Sequence, residues 1–174
     1  MRRFAMFAIA LAAFGASACD DDNPAGPSAS GPIVFTAQMT AAEENPVVTN
    51  AESSGRGSVT ITFNVPRDAS GNITGGGTWN VQAVVSGLTA DTAIRLAHIH
   101  TGAGGVRGPV YVDTGLSAAT EIKVPSNATI NLTNMPIDQN QAQTVVNNPA
   151  GHYFNMHSAL NPIGVVRGQL VRVQ

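Results

Sequence analysis

The chain has 174 residues, with nine basic and eleven acidic side chains, four histidines and a single cysteine, for a net charge of −2 at neutral pH. This near-balance, with 5% aromatic residues and no lysine-rich or aromatic-basic stretch, argues against nucleic-acid binding, and one cysteine excludes an internal disulfide. Abundant Val, Thr, Ala, Asn and Gly favour a β-rich fold with many tight turns.

Met1-Arg2-Arg3 is a short basic start, Phe4 to Gly15 is an uncharged apolar run, and Ala16-Ser17-Ala18 supplies small residues just before Cys19. This order is that of a bacterial secretory signal over residues 1–18. The apolar run is shorter than the ~20 residues a helix needs to cross a bilayer. Cys19 resembles a lipobox cysteine, which implies lipidation of its sulfur and a new N-terminus there; Ala16 stands where leucine is often found, and ordinary cleavage after Ala18 is the alternative. Residues 19–32, an aspartate triplet followed by Pro, Gly, Ser and Ala, read as a disordered tether. The triplet resembles lipoprotein sorting signals or is simply a solvated charge run. The expected location is the cell envelope, exported and lipid-anchored to a membrane, inner or outer left open.

Residues 33–174 form one domain's length of chain, with seven basic and eight acidic residues. Ile33 to Met39 is a first extended segment. Gly57 to Val65 alternates apolar and polar residues, Asp68 to Asn72 is a turn, and Gly77 to Val85 alternates again, which predicts a hairpin. Ile94 to His100 and Pro109 to Asp113 flank a glycine-rich turn, Glu121 to Val124 and Thr129 to Leu132 are short strands, and Asp138 to Asn147 is the one helix, with Asp138 as cap. His152 to Ser158 and Val165 to Val173 close the sheet. The pattern predicts an all-β, antiparallel, Greek-key-like β-sandwich with one short helix.

Residues two apart on a strand share a face, so His98 and His100 project side by side. With His157 from a later strand they form a candidate metal site. Three neutral imidazoles plus water suit zinc or copper(II). Tyr153, Asn155 and His157 share one strand face and His152 lies on the other, so Asn155 is placed to orient a ligand. The alternative is that the histidines are half-buried strand residues bonded to carbonyls or to Asn155.

Other groups read as structural. Glu43 and Glu44 point apart on extended chain and are expected in a solvated loop. Gly102 to Gly108 precedes a strand and lacks a Lys-Ser/Thr ending, so it reads as a tight loop with no nucleotide role. Arg107 and Arg167 read as sheet-edge ion pairs ahead of anion holders. Ser158 faces away from His157, poor geometry for nucleophile and base. The sequons at Asn72, Asn127 and Asn131 read as polar turns.

Seven stretches stand in order along the domain: Phe35-Thr36-Ala37-Gln38-Met39, Glu43 to Thr49, Val85-Ser86-Gly87-Leu88, Ala97 to Gly102, Gly108-Pro109-Val110, Tyr153 to Ser158, and Asn161-Pro162 through Arg167-Gly168-Gln169-Leu170. Together they resemble the CHRD domain family. Val166 departs from the acidic or polar residue the family often has before the arginine. The resemblance implies a secreted binding or scaffolding domain without a settled reaction. A fainter resemblance, to copper-zinc superoxide dismutase sandwiches, rests on His98, His100, His157 and Arg167; it lacks the further loop histidines and the loop cysteines, which makes a bridged two-metal site improbable.

The sequence therefore reads as a membrane-tethered binding or scaffolding protein of the bacterial cell envelope, with a protein or other envelope component as ligand. The alternative is a zinc or copper redox or hydrolytic enzyme centred on the three histidines, with Asn155 and Arg167 around them. No nucleophile, carboxylate dyad or cofactor fingerprint favours catalysis.

Overall fold

A computed structural model describes residues 31–174. The strands are β1 Ile33–Thr40, β2 Arg56–Asn64, β3 Gly77–Ser86, β4 Thr92–Thr101, β5 Val110–Asp113, β6 Ile122–Val124, β7 Asn127–Ile137, β8 His152–Ser158, β9 Val166–Gln169 and β10 Val171–Arg172, with the helix α1 Gln139–Asn147 between β7 and β8. All pair antiparallel in one continuous sheet of order β5-β4-β8-β9-β1-β2-β3-β7, with β10 on β1 and β6 on β4. The expected all-β architecture is therefore present, built as a sandwich-like barrel from a sheet that wraps around one core.

Period-two burial drives the wrapping. β1 buries Ile33, Phe35, Ala37 and Met39, β2 buries Val59, Ile61 and Phe63, and β3 buries Trp79, Val81, Ala83 and Val85. The register sets Phe35 opposite Ile61 and Phe63 opposite Trp79. The Phe35 and Phe63 rings meet edge-on at 5.1 Å, and Phe63 and Trp79 at 6.4 Å, a geometry worth about 0.5–1.5 kcal/mol per pair beyond area burial.

The sheet's two edges, β5 and β7, are bridged by α1. Asp138 caps the helix by accepting from Gln141 N at 2.8 Å, and the Gln141 side chain accepts in turn from Asp138 N. Ala142 and Val145 enter the core, while Gln141 Nε2 donates to the Tyr111 carbonyl of β5 at 2.9 Å. The helix thus satisfies one backbone carbonyl of an edge strand.

β8 holds the site in place. All seven of its residues are buried, which requires cover on both faces. Phe154 and Met156 join the core. Tyr153, Asn155 and His157 face the opposite way and are covered by three loops. The terminal segment expected from Val165 to Val173 divides at Leu170, whose N–H leaves the β1 ladder to donate to His152 O at 3.0 Å. Thr129 to Leu132 is only the middle of β7, which runs on through Pro136, a residue tolerated on an edge strand. Among the described residues no helix is long and apolar enough to cross a membrane. The expected signal peptide over 1–18, Cys19, and the tether up to residue 30 lie outside the described residues.

Candidate metal centre

β4 and β8 are neighbours, and their register sets His98 opposite Asn155, His100 opposite Tyr153 and Leu96 opposite His157. Three imidazoles follow on one face. Ring centroids lie 5.4 Å apart for His98 and His100, 5.1 Å for His98 and His157, and 5.9 Å for His100 and His157. One nitrogen from each ring falls within 4.8 Å of the other two. Among the described residues no carboxylate joins this set. All three side chains are buried.

The outer nitrogens fix which nitrogens face inward. His100 Nδ1 lies 3.0 Å from Gly108 O, and His157 Nδ1 lies 3.0 Å from Pro162 O. A carbonyl only accepts, so each ring carries its hydrogen on Nδ1 and a lone pair on Nε2. His98 Nε2 faces Asp113 Oδ1 across β5 at 3.5 Å. A hydrogen there leaves the lone pair on His98 Nδ1, 3.3 Å from His157 Nε2. His100 Nε2 is buried and has no hydrogen-bond partner. With that tautomer three acceptors converge, an arrangement that costs free energy unless a cation enters; without one, a hydrogen on His98 Nδ1 lets it donate to His157 Nε2 and leaves only His100 Nε2 without a partner.

Burial also keeps the rings neutral, the form that ligates. It lowers all three histidines below their ordinary 6.5, against the opposing pull of Asp113 on His98 and of the Gly108 carbonyl on His100. His157 is lowered to about 4, by burial first, opposed by the Pro162 carbonyl.

Arg167 on β9 braces this face. It is buried in the middle of the sheet, and its guanidinium sits 3.5 Å above the Tyr153 ring. That ring stacks on His100 at 4.9 Å and 5°. Arg167 Nη1 and Nη2 donate to the carbonyls of Val106 and Ala103 at 3.1 and 3.3 Å. The expectation of a sheet-edge ion pair is corrected for Arg167: five donors in a fixed fork suit two loop carbonyls, and among the described residues no carboxylate bridges to it. The glycine-rich loop is accordingly a wall of the site. Gly108 passes so close to β4 that a Cβ there would strike the Thr101 backbone, and this approach delivers its carbonyl to His100.

Asn155 lies where expected, beside the histidines. Its Nδ2 donates to Glu44 Oε1 at 2.6 Å, and its buried Oδ1 has no partner. Glu44 corrects the solvated-loop reading: Glu43 is exposed, but Glu44 is buried. Burial pushes its carboxyl up to about 8, against the lowering influence of Arg167 and Arg107. Glu52 was likewise not legible. It is buried and accepts from Thr92 Oγ1, Ser158 Oγ and Asn161 Nδ2. It therefore anchors the loop that presents Pro162 O to His157, and it occupies Ser158. His152 lies apart, its Nδ1 on Asn148 O at 2.8 Å and its ring beside Tyr111.

Above the histidines opens a cavity of about 330 Å³, bounded by Glu44, Arg107, Val110, Asn155 and Ile163 among others. No curated protein and no solved structure matches the chain. The family model of the CHRD domain matches residues 35–170, so all three histidines, Asn155 and Arg167 fall inside it. With four-fifths or so of the sequence spanned by that one model, the chain belongs to the CHRD domain family.

Proposed function

We propose that this chain is a binding protein whose CHRD domain holds one divalent transition metal, zinc or copper(II), on His98 Nδ1, His100 Nε2 and His157 Nε2. Membership of the family suggests a binding or scaffolding role, and the metal reading specifies what is bound. The observation that carries it is the convergence of three buried ring nitrogens whose opposite ring nitrogens each face an acceptor. Metal-bound histidines typically engage such acceptors through the nitrogen not on the metal. Tetrahedral zinc at about 2.1 Å places its ligand atoms roughly 3.4 Å apart. The His98–His157 pair stands at 3.3 Å already. We further propose that residues 1–18 export the protein and that a lipid on Cys19 tethers it to a membrane of the cell envelope, on the strength of the basic start, the apolar run and the small residues before the cysteine.

Calorimetric titration of the full chain with zinc and copper(II) tests the metal reading. One equivalent binds at pH 7, affinity collapses as pH falls toward 4, where His157 protonates, and His100→Ala weakens binding by more than the roughly 10–100-fold that loss of an outer partner costs. Folded protein that binds neither metal at pH 7, or binding unchanged in His100→Ala, overturns it.

A further inference from the structure

We infer that the cavity over the three histidines binds a small carboxylate with an apolar body, one oxygen taking the open metal position and the carboxylate facing Arg107. This rests on the metal reading above and names the ligand that the metal would share.

The first argument is charge. Three neutral imidazoles bring no negative charge into a divalent metal's ligand shell, and no carboxylate joins that set among the described residues. Zinc completes its tetrahedron with an exogenous ligand when the protein supplies three. An anion is the ligand that neutralises the site.

The second argument is Arg107. It lines the cavity, is exposed, and is close enough for its charge to act on Glu44, His100 and His157. Unlike Arg167, whose fork is taken by two carbonyls, Arg107 makes no side-chain hydrogen bond or ion pair among the described residues. A guanidinium fork matches a carboxylate through two parallel N–H···O bonds. Tyr153 adds a donor: its hydroxyl accepts from Gly108 N at 3.3 Å, and its own hydrogen has no acceptor among the described residues.

The third argument is the rim. Val110 and Ile163 line the cavity and are each 47% exposed, with Leu96, Pro109 and Pro162 beside them. A bare inorganic anion leaves these side chains in water, whereas an acyl chain covers them. The volume of about 330 Å³ lies at the small end of ligand sites and suits a short-chain acid.

The test uses the full chain carrying one equivalent of copper(II), with the metal's visible band and electron paramagnetic resonance as readouts. Acetate, hexanoate and hexylammonium are titrated in turn. Each methylene entering the rim strengthens binding about fourfold, so hexanoate binds at least about tenfold more tightly than acetate and perturbs the copper spectrum, while hexylammonium does neither. Arg107→Gln weakens hexanoate binding about tenfold or more, as expected for loss of a charge-assisted pair, with copper stoichiometry unchanged. A copper-loaded protein whose spectrum ignores hexanoate, or an Arg107→Gln variant that binds it equally well, overturns this inference and leaves the metal reading standing. Equal affinity for acetate and hexanoate overturns the apolar body. Folded protein that takes up neither copper nor zinc overturns both readings together.

Discussion

In the metal-free protein, Glu44 and the three histidines impose opposite pH dependences on stability, and their difference is measurable. Glu44 titrates at about 8 in the folded chain against 4.5 for the free group, so in that interval the folded state holds a proton the unfolded state has released. Its contribution is complete below 4.5 and is lost as pH rises through 8. His157 titrates at about 4 against 6.5, so there the unfolded state binds the extra proton. Its contribution is complete above 6.5 and is lost as pH falls toward 4, and His98 and His100 are lowered in the same direction. Stability therefore peaks near pH 6.5. From there to pH 8 Glu44 acts alone, over about 1.5 pH units at about 1.36 kcal/mol each, a loss of about 2 kcal/mol. At about 2–4 °C per kcal/mol for a chain of this size, Tm falls by about 4–8 °C. Glu44→Gln keeps an oxygen to accept from Asn155 Nδ2 and removes the titration, so its Tm stays level from pH 6.5 to 8. The assay is thermal unfolding followed by circular dichroism in chelator between pH 5 and 9. A wild-type Tm that does not fall between pH 6.5 and 8, or a fall that persists in Glu44→Gln, refutes the reasoning.

Gly164 has φ +155, and a Cβ there runs into Glu44 Oε2 and lies 2.6 Å from Asn155 Nδ2; Gly164→Ala therefore destabilises by about 1–3 kcal/mol in chemical denaturation. Glu52→Ala removes the acceptor shared by Thr92, Ser158 and Asn161, leaves the Ser158 hydroxyl without one and releases the loop carrying Pro162; it costs about 3 kcal/mol, and zinc affinity by calorimetry falls roughly 10–100-fold. On the proposed lipid anchor, Cys19→Ala moves the protein from the membrane fraction to the soluble fraction on cell fractionation, with Tm unchanged, the core among the described residues beginning at Ile33.

Strand positions were legible because burial follows the two-residue period. Gly77 to Val85 and His152 to Ser158 match β3 and β8 nearly residue for residue, and Asp138 announced its helix through a cap that needs only local geometry. The histidine cluster was legible for the same reason: spacing set His98 beside His100, and the family resemblance set His157 on a strand of the same sandwich. Glu44 and Glu52 were not. Each lies in irregular chain before β2, and its burial comes from partners 106 to 111 residues away for Ser158, Asn161 and Asn155, contacts no local pattern encodes. The role of Arg167 was hidden likewise, because its partners are carbonyls of a loop more than 60 residues earlier.

In the proposed metal centre, three imidazoles from β4 and β8 share one metal ion. A crystal of the full chain grown with one equivalent of zinc, with data collected above and below the zinc absorption edge, tests it directly. One anomalous peak is expected about 2.0–2.1 Å from each of His98 Nδ1, His100 Nε2 and His157 Nε2, with Gly108 O and Pro162 O still accepting from the outer nitrogens. A zinc peak on other residues, with these three rings unchanged, contradicts it.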